Sequence, residues 1–222
     1  AWLQSWEGTS SNVWINDGSG SFTDSGQSLG DSGTFSVAFG DFDGDGDLDA
    51  FVVNQQPNQV WINDGSGSFT DSGQSLGDSN ITPPYTNVAL GDFDGDGDLD
   101  ALVREHMPNK GGVTFIKVWI NDGSGNFIDS GQPITDIGEG ILIVGDLDGD
   151  GDLDVFVEEQ NPPMGNKIWL NDGHGVFTDS GQSLGDSRNW SVALGDLDGD
   201  GDLDVFLGNK VRDRSSGKSV GS

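Results

Sequence analysis

Two short motifs alternate along the chain and set the period of its fold. The first is an acidic loop reading D-x-D-G-D-G-D-L-D, and its copies begin at Asp41, Asp92, Asp146 and Asp196. The second joins Trp-(Ile/Leu)-Asn-Asp-Gly to a downstream Phe-x-Asp-Ser-Gly-Gln, and its tryptophans are Trp14, Trp61, Trp119 and Trp169. Successive loops are 51, 54 and 50 residues apart. A period near 50 residues predicts a series of similar units that bury their apolar surfaces against one another.

Each repeat reads as four short strands. The first precedes the acidic loop and is predicted over Ser36–Gly40, Asn87–Gly91, Ile141–Gly145 and Ser191–Gly195. In the first full repeat, the second and third strands are predicted over Asp49–Asn54 and Gln59–Asn63, and the fourth runs from Ser68 toward Gly73. The 37 glycines of the chain are too many for helices. The sequence therefore predicts an all-β propeller of four-stranded antiparallel blades, with about four repeats.

The ends of the chain are out of register with the repeat. Ala1-Trp2-Leu3 aligns with the second-strand residues Ala50-Phe51-Val52, and Asp204–Leu207 is again a second strand. Two interpretations stay open: a closed four-bladed ring in which both ends share one blade, or part of a larger propeller. We assign residues 1–209 to the repeats and residues 210–222 to a polar, basic tail.

The acidic loop has the composition of a calcium site. Calcium is a hard cation that takes six to eight oxygen ligands. In the first loop, Asp41, Asp43 and Asp45 supply carboxylates at positions 1, 3 and 5, and Gly46 allows the sharp turn. Position 7 is expected to contribute its backbone carbonyl and position 9 to close the site. Leu48 at position 8 is expected to point into the core and anchor the loop.

The same reading applies to every copy of the loop, which predicts about four calcium ions per chain. Magnesium fits less well because it prefers fewer protein ligands in strict octahedral geometry. The predicted metal ligands are Asp41, Asp43, Asp45, Asp47, Asp49, Asp92, Asp94, Asp96, Asp98, Asp100, Asp146, Asp148, Asp150, Asp152, Asp154, Asp196, Asp198, Asp200, Asp202 and Asp204.

Charge and composition exclude several classes of partner. A formal net charge of −29 should repel nucleic acid and anionic membrane surfaces. No apolar run approaches the ~20 residues of a membrane-spanning helix, so membrane insertion is not expected. The chain has no cysteine, which fits a fold held by metal ions rather than by disulfides.

The loop and the strand before it, as in Val37-Ala38-Phe39-Gly40-Asp41, resemble the FG-GAP/VCBS repeats of integrin-α-type propellers. The downstream Trp-Ile-Asn-Asp-Gly-Ser-Gly-Ser-Phe segment is similar to the second half of a VCBS repeat. The resemblance implies calcium between the first two strands of each blade, at one rim of the propeller. It also implies a secreted or cell-surface setting.

No residue departs from the repeat in the way an active site usually does, so enzymatic activity is not expected. The four repeat tryptophans are expected to pack between neighbouring blades, with stacking against sugar rings as the alternative. The function indicated is recognition of, or adhesion to, a protein or glycan at the propeller rim. Two alternatives remain: a structural subunit that self-associates through its terminal strands, and an accessory domain of a larger secreted enzyme.

Overall fold

The computed structural model describes residues 11–30, 33–78, 87–107, 111–135, 137, 140–158, 165–185 and 189–209. Within these ranges the chain forms sixteen β-strands and no helix. Consequently, no helix in the described ranges is long and apolar enough to cross a membrane. Two segments of the sequence prediction lie outside the described residues: Ala1-Trp2-Leu3, aligned with a second strand, and the polar, basic tail over 210–222.

The strands form five antiparallel sheets in chain order, three of them with four strands. The N-terminal half-sheet contains β1 (Ser11–Asn16) and β2 (Phe22–Leu29). Blade 1 contains β3 (Thr34–Gly40), β4 (Asp49–Asn54), β5 (Gln59–Asn63) and β6 (Phe69–Asp71). Blade 2 contains β7 (Asn87–Gly91), β8 (Asp100–Met107), β9 (Val113–Asn121) and β10 (Phe127–Asp129). Blade 3 contains β11 (Leu142–Gly145), β12 (Asp154–Val157), β13 (Asn166–Asn171) and β14 (Phe177–Leu184). The C-terminal half-sheet contains β15 (Asn189–Gly195) and β16 (Asp204–Asn209).

The strand order in each blade is that of a propeller. Strands follow one another in sequence order across each sheet, and the first strands of neighbouring sheets lie against each other, β3 on β7, β7 on β11 and β11 on β15. This radial repetition confirms the predicted β-propeller architecture. The second and third strands of blade 1 begin and end where the sequence predicted. The first strand of that blade starts at Thr34 rather than Ser36, with an irregular register between the two residues.

The hydrophobic cores lie between the blades. All six residues of β4 and all four of β12 are buried, because these apolar second strands are covered on both faces. One core joins blades 1 and 2 and includes Phe51, Val53 and Val103. A second joins blades 2 and 3 and includes Leu102, Ile116 and Val155. Each blade is therefore stabilised by its neighbours, as expected for a repeat protein.

Two packing predictions are wrong in the N-terminal part of the array. Leu48 is 58% exposed, although its counterparts Leu99 and Leu153 pack in the two cores. Trp14 is also 58% exposed, whereas Trp119 is buried at 6%. The cause is common to both: these side chains need a neighbouring blade to cover them, and no described residue covers them here.

The two half-sheets stay separate in the described structure. The strand β1 pairs with β2, and β16 pairs with β15, but the four strands do not form one sheet. The shared blade of a closed four-bladed ring is therefore not formed among the described residues.

One buried carboxyl in blade 2 stands out. Glu105 lies in β8 and is fully buried, and Asn58 of blade 1 donates its Nδ2–H to Glu105 Oε1 at 3.4 Å. Burial raises the pKa of Glu105 from its ordinary value of 4.5 to about 7. The folded state therefore binds this proton more tightly than the unfolded chain does. Stability contributed by the protonated form is lost as the pH rises from about 4.5 to about 7.

We predict that Glu105→Gln removes part of this pH dependence, because glutamine keeps the shape and the hydrogen-bond acceptor without the charge. The free energy of unfolding, measured by urea denaturation, should fall less between pH 5 and pH 8 in the variant than in the parent. Asp24→Asn, at an exposed acid of β2, is the control and should leave the parent's pH profile unchanged. Identical profiles for Glu105→Gln and the parent would contradict the assignment.

Candidate metal centre

Each acidic loop is closed at its base by a pair of strand residues. The last residue of the first strand pairs with the aspartate at loop position 9, as Gly40 does with Asp49 and Gly91 with Asp100. Between these ends, the glycines at positions 4 and 6 take positive φ angles, 76° and 93° for Gly44 and Gly46. Glycine adopts this conformation without steric cost, so the backbone turns tightly enough to direct its N–H groups inward.

The aspartates at positions 1, 3 and 5 organise the loop through backbone hydrogen bonds. Asp41 accepts two of them, from Gly44 N–H at 2.9 Å and Gly46 N–H at 3.0 Å. Asp43 Oδ1 accepts from Asp45 N–H at 3.3 Å, and Asp45 Oδ1 accepts from Asp47 N–H at 2.9 Å. The other three loops repeat the same bonds at closely similar distances.

The structure brings carboxylates together in every loop. In each copy, one oxygen from each of three aspartates lies within 4.8 Å of the others. In the first two loops these are positions 1, 3 and 5, and in the last two they are positions 1, 3 and 9. The four groups are Asp41, Asp43 and Asp45; Asp92, Asp94 and Asp96; Asp146, Asp148 and Asp154; and Asp196, Asp198 and Asp204. Such hard oxygen donors at short mutual range fit a divalent cation such as calcium.

The aspartate at position 9 ties the loop to the rest of its blade. Asp100 is fully buried; its Oδ2 accepts from Phe93 N–H at 2.9 Å and its Oδ1 accepts from Asn121 N–H at 2.8 Å. Burial raises the pKa of Asp100 to about 6, although the two N–H donors act in the opposite direction. Burial likewise raises the pKa values of Asp49 and Asp154. A cation in the loop would favour the ionised form of these buried carboxyls.

The aspartate at position 7 is placed differently. Its carboxylate lies beside the third-to-fourth-strand turn of the same blade, so close that a Cβ added to Gly65 would collide with Asp47. Gly123 and Gly173 stand in the same relation to Asp98 and Asp152. These side chains are outside the three-carboxylate clusters, which is consistent with a backbone carbonyl as the only ligand from this position.

The sequence reasoning missed the asparagine of the Trp-(Ile/Leu)-Asn-Asp motif. Asn121 of blade 2 donates its Nδ2–H to the carbonyl of Phe42, a loop residue of blade 1, at 2.9 Å. Asn171 of blade 3 makes the same bond to Phe93 of blade 2 at 2.8 Å. Each asparagine thus holds the acidic loop of the preceding blade. The asparagine occurs at the same place in every repeat, and this recurrence could have identified it from the sequence.

A groove lies between the N-terminal half-sheet and blade 1. It is lined by Ser28, Gly30, Gln59, Trp61 and Asp71. Gln59 donates to Asp71 Oδ2 at 3.2 Å, which places an amide and a carboxylate beside a half-buried indole.

Two solved structures are similar to the chain. A Photorhabdus luminescens Tc holotoxin pore chain matches at 19% identity and a TM-score of 0.47, over 88% of this chain and 10% of the toxin chain. An Agrocybe aegerita lectin, whose structure concerns recognition of non-reducing terminal N-acetylglucosamine, matches at 17% identity and a TM-score of 0.35. That match covers 88% of this chain and 68% of the lectin. The chain therefore spans about a tenth of the toxin chain. At these TM-scores, neither similarity supports an inference about what this chain binds.

No curated protein sequence matches the chain significantly. A family model described as an FG-GAP-like repeat matches four times, over residues 3–52, 41–103, 109–157 and 146–207. These matches span nearly all of the chain and contain all four acidic loops. The chain belongs to the FG-GAP-like repeat family.

Proposed function

We propose that the chain is a non-catalytic, calcium-binding propeller module that works outside the cell. The observation that carries the proposal is the recurrence of a three-carboxylate cluster, with positions 1 and 3 in every copy, in all four acidic loops. The aspartates at positions 1, 3 and 5, and at position 9 where it joins the cluster, would hold the ion. The backbone carbonyl at position 7 would complete the oxygen set.

Calcium is supported by the electrostatics of the loop. Five aspartates lie within nine residues, so their carboxylates repel one another unless a cation is present. The clusters lie mainly at the surface, and in the first loop Asp41 and Asp43 are half-buried while Asp45 is exposed. Extracellular modules bind calcium with dissociation constants of about 10⁻⁴–10⁻³ M. Sites of that strength would be filled outside the cell, where calcium is abundant, and the proposed location therefore suits a calcium-binding role.

We predict that Asp45→Ala lowers the calcium stoichiometry at saturation from four ions per chain to three. Asp45 lies in a carboxylate cluster, and its loss removes one of three close oxygen donors. The measurement is metal analysis of protein equilibrated with millimolar calcium, paired with titration calorimetry.

Asp24→Ala is the matched control for Asp45→Ala. Asp24 also accepts an N–H from the residue two positions on, Gly26 at 2.9 Å, but it lies in β2 outside any loop. Its substitution should leave four ions bound. An equal loss of calcium in both variants, or a parent that binds one ion or none, would refute the ligand assignment.

Glycan recognition is a second candidate function, and the groove beside Trp61 favours it. An aromatic face next to amide and carboxylate groups can stack on a sugar ring and bond its hydroxyls. Here Trp61, Gln59 and Asp71 supply these groups between two neighbouring sheets. This candidate is compatible with calcium binding, because the groove does not include the acidic loops.

We predict that any glycan found by array screening loses at least tenfold in affinity with Trp61→Ala. Ile128→Ala, at a 65% exposed apolar residue of β10 outside the groove, is the control and should bind as the parent does. Absence of any glycan signal with calcium-loaded protein would count against this candidate and leave the calcium proposal intact.

A further inference from the structure

The asparagine at the end of the third strand bonds to two acidic loops at once. In blade 2, the backbone N–H of Asn121 donates to Asp100 Oδ1, in the loop of its own blade, at 2.8 Å. The side-chain Nδ2–H of the same residue donates to the carbonyl of Phe42, in the loop of blade 1, at 2.9 Å. Asn121 therefore joins the closing aspartate of one loop to the second position of the loop before it.

Blade 3 repeats this arrangement one junction further along the array. The backbone N–H of Asn171 donates to Asp154 Oδ1 at 2.8 Å, and its Nδ2–H donates to the carbonyl of Phe93 at 2.8 Å. Gly175 N–H, from the turn that follows Asn171, donates to the same carbonyl at 2.8 Å. Two asparagines thus link the acidic loops of blades 1, 2 and 3 in series.

The bonded carbonyl lies between two predicted metal ligands. Phe42 occupies loop position 2, between Asp41 and Asp43, whose carboxylates both belong to the cluster of that loop. The N–H of Phe42 donates to Asp49 Oδ2 at 2.9 Å, so the peptide group on one side is held by its own loop. The peptide group on the other side is held by Asn121 of the next blade. The position of the first two carboxylates therefore depends on both blades.

Burial makes this contact costly to break. Asn121 is 1% exposed and Asn171 is 4% exposed. Among the described residues, neither carboxamide oxygen accepts a hydrogen bond, so each carboxamide is satisfied only through its Nδ2–H group. A buried polar group that loses its partner is unfavourable. A loop that moves away from its asparagine therefore raises the free energy of both blades.

An aromatic pair covers the same junction. The ring of Phe127 in blade 2 packs edge-on against Phe42, with centroids 5.3 Å apart, and Phe177 of blade 3 repeats the contact with Phe93 at 6.0 Å. Phe42 and Phe93 are almost fully buried as a result. The asparagine bonds therefore lie away from water, where a hydrogen bond is electrostatically stronger.

We propose that Asn121 and Asn171 couple the calcium sites of neighbouring blades, so that cations bind cooperatively to the loops of blades 1, 2 and 3. The inference rests on the proposed calcium binding. An ordered loop in blade 2 fixes Asp100, which holds Asn121, and Asn121 in turn holds Phe42 and its flanking carboxylates. Because coupling between sites is reciprocal, order in the loop of blade 1 favours order in the loop of blade 2 by the same factor.

The sign of the cooperativity separates this coupling from simple electrostatics. The chain carries a formal net charge of −29, and each neutralised loop lowers the potential that attracts the next cation. Electrostatics alone therefore gives a Hill coefficient of one or less. Coupling through the asparagines opposes this effect, and we expect a Hill coefficient above one.

The test is a double-mutant cycle followed by calcium titration in physiological salt. Asp96→Ala removes a carboxylate from the cluster of blade 2 and should leave three ions per chain. With coupling, it should also raise the half-saturating calcium concentration of the remaining ions about fivefold or more. Asn121→Leu and Asn171→Leu together keep approximate side-chain size but remove both donors. In that double variant, Asp96→Ala should remove one ion without shifting the others.

Asn126→Ser is the matched control. Asn126 is an exposed amide in the turn after β9, and its Nδ2–H donates to Asp122 within that turn at 3.2 Å. This variant should keep a Hill coefficient above one. Four ions bound to the parent with a Hill coefficient of one or less would overturn the coupling and leave the calcium proposal intact.

Two other outcomes also decide the matter. A parent that binds one ion or none would overturn the coupling together with the calcium proposal. If the leucine variants do not fold, Asp96→Ala alone remains decisive, because an unshifted half-saturating concentration for its three ions would overturn the coupling.

Discussion

The acidic loops are the constraint on which the rest of the structure depends, because they link the strands of each blade and connect each blade to the next. Each loop lies between the first and second strands of a sheet, and its position 9 aspartate is paired with the end of the first strand. In blade 2, the carboxylate of Asp100 also accepts an N–H from Asn121 of the third strand, so this one residue links three of the four strands. The loop is therefore part of the blade's framework. Repulsion among its aspartates would act directly on that framework.

The loops also connect each blade to the next. Asn121 and Phe127 of blade 2 both contact Phe42 in the loop of blade 1. Leucine side chains of blade 2 also fill the space beside Gly40 of blade 1. A change in one loop therefore alters contacts in two blades. The proposed calcium ions would stabilise both the loop and the junction, which accounts for an array without a disulfide.

The sequence predicted the features that lie within one repeat. The apolar run of β4 and the flanked tryptophan of β5 determine those strands locally, and the loop composition predicted the carboxylate clusters. The burial of Leu48 and Trp14 was predicted wrongly, because it depends on a neighbouring blade. The sequence of a single repeat does not show whether that neighbour is present. Asn121 was missed for a related reason. Its partner is the backbone carbonyl of Phe42 in the preceding blade, and a sequence pattern does not identify backbone partners.

The melting temperature in chelator and in calcium tests most directly whether bound cations hold the blades together. A ligand at about 100 times its dissociation constant adds about 2.7 kcal/mol per site. Several such sites rival the ~5–15 kcal/mol total stability of a domain. We expect excess chelator to lower the melting temperature by tens of degrees, or to abolish a cooperative transition, relative to millimolar calcium. Melting temperatures within a few degrees of each other would contradict the account.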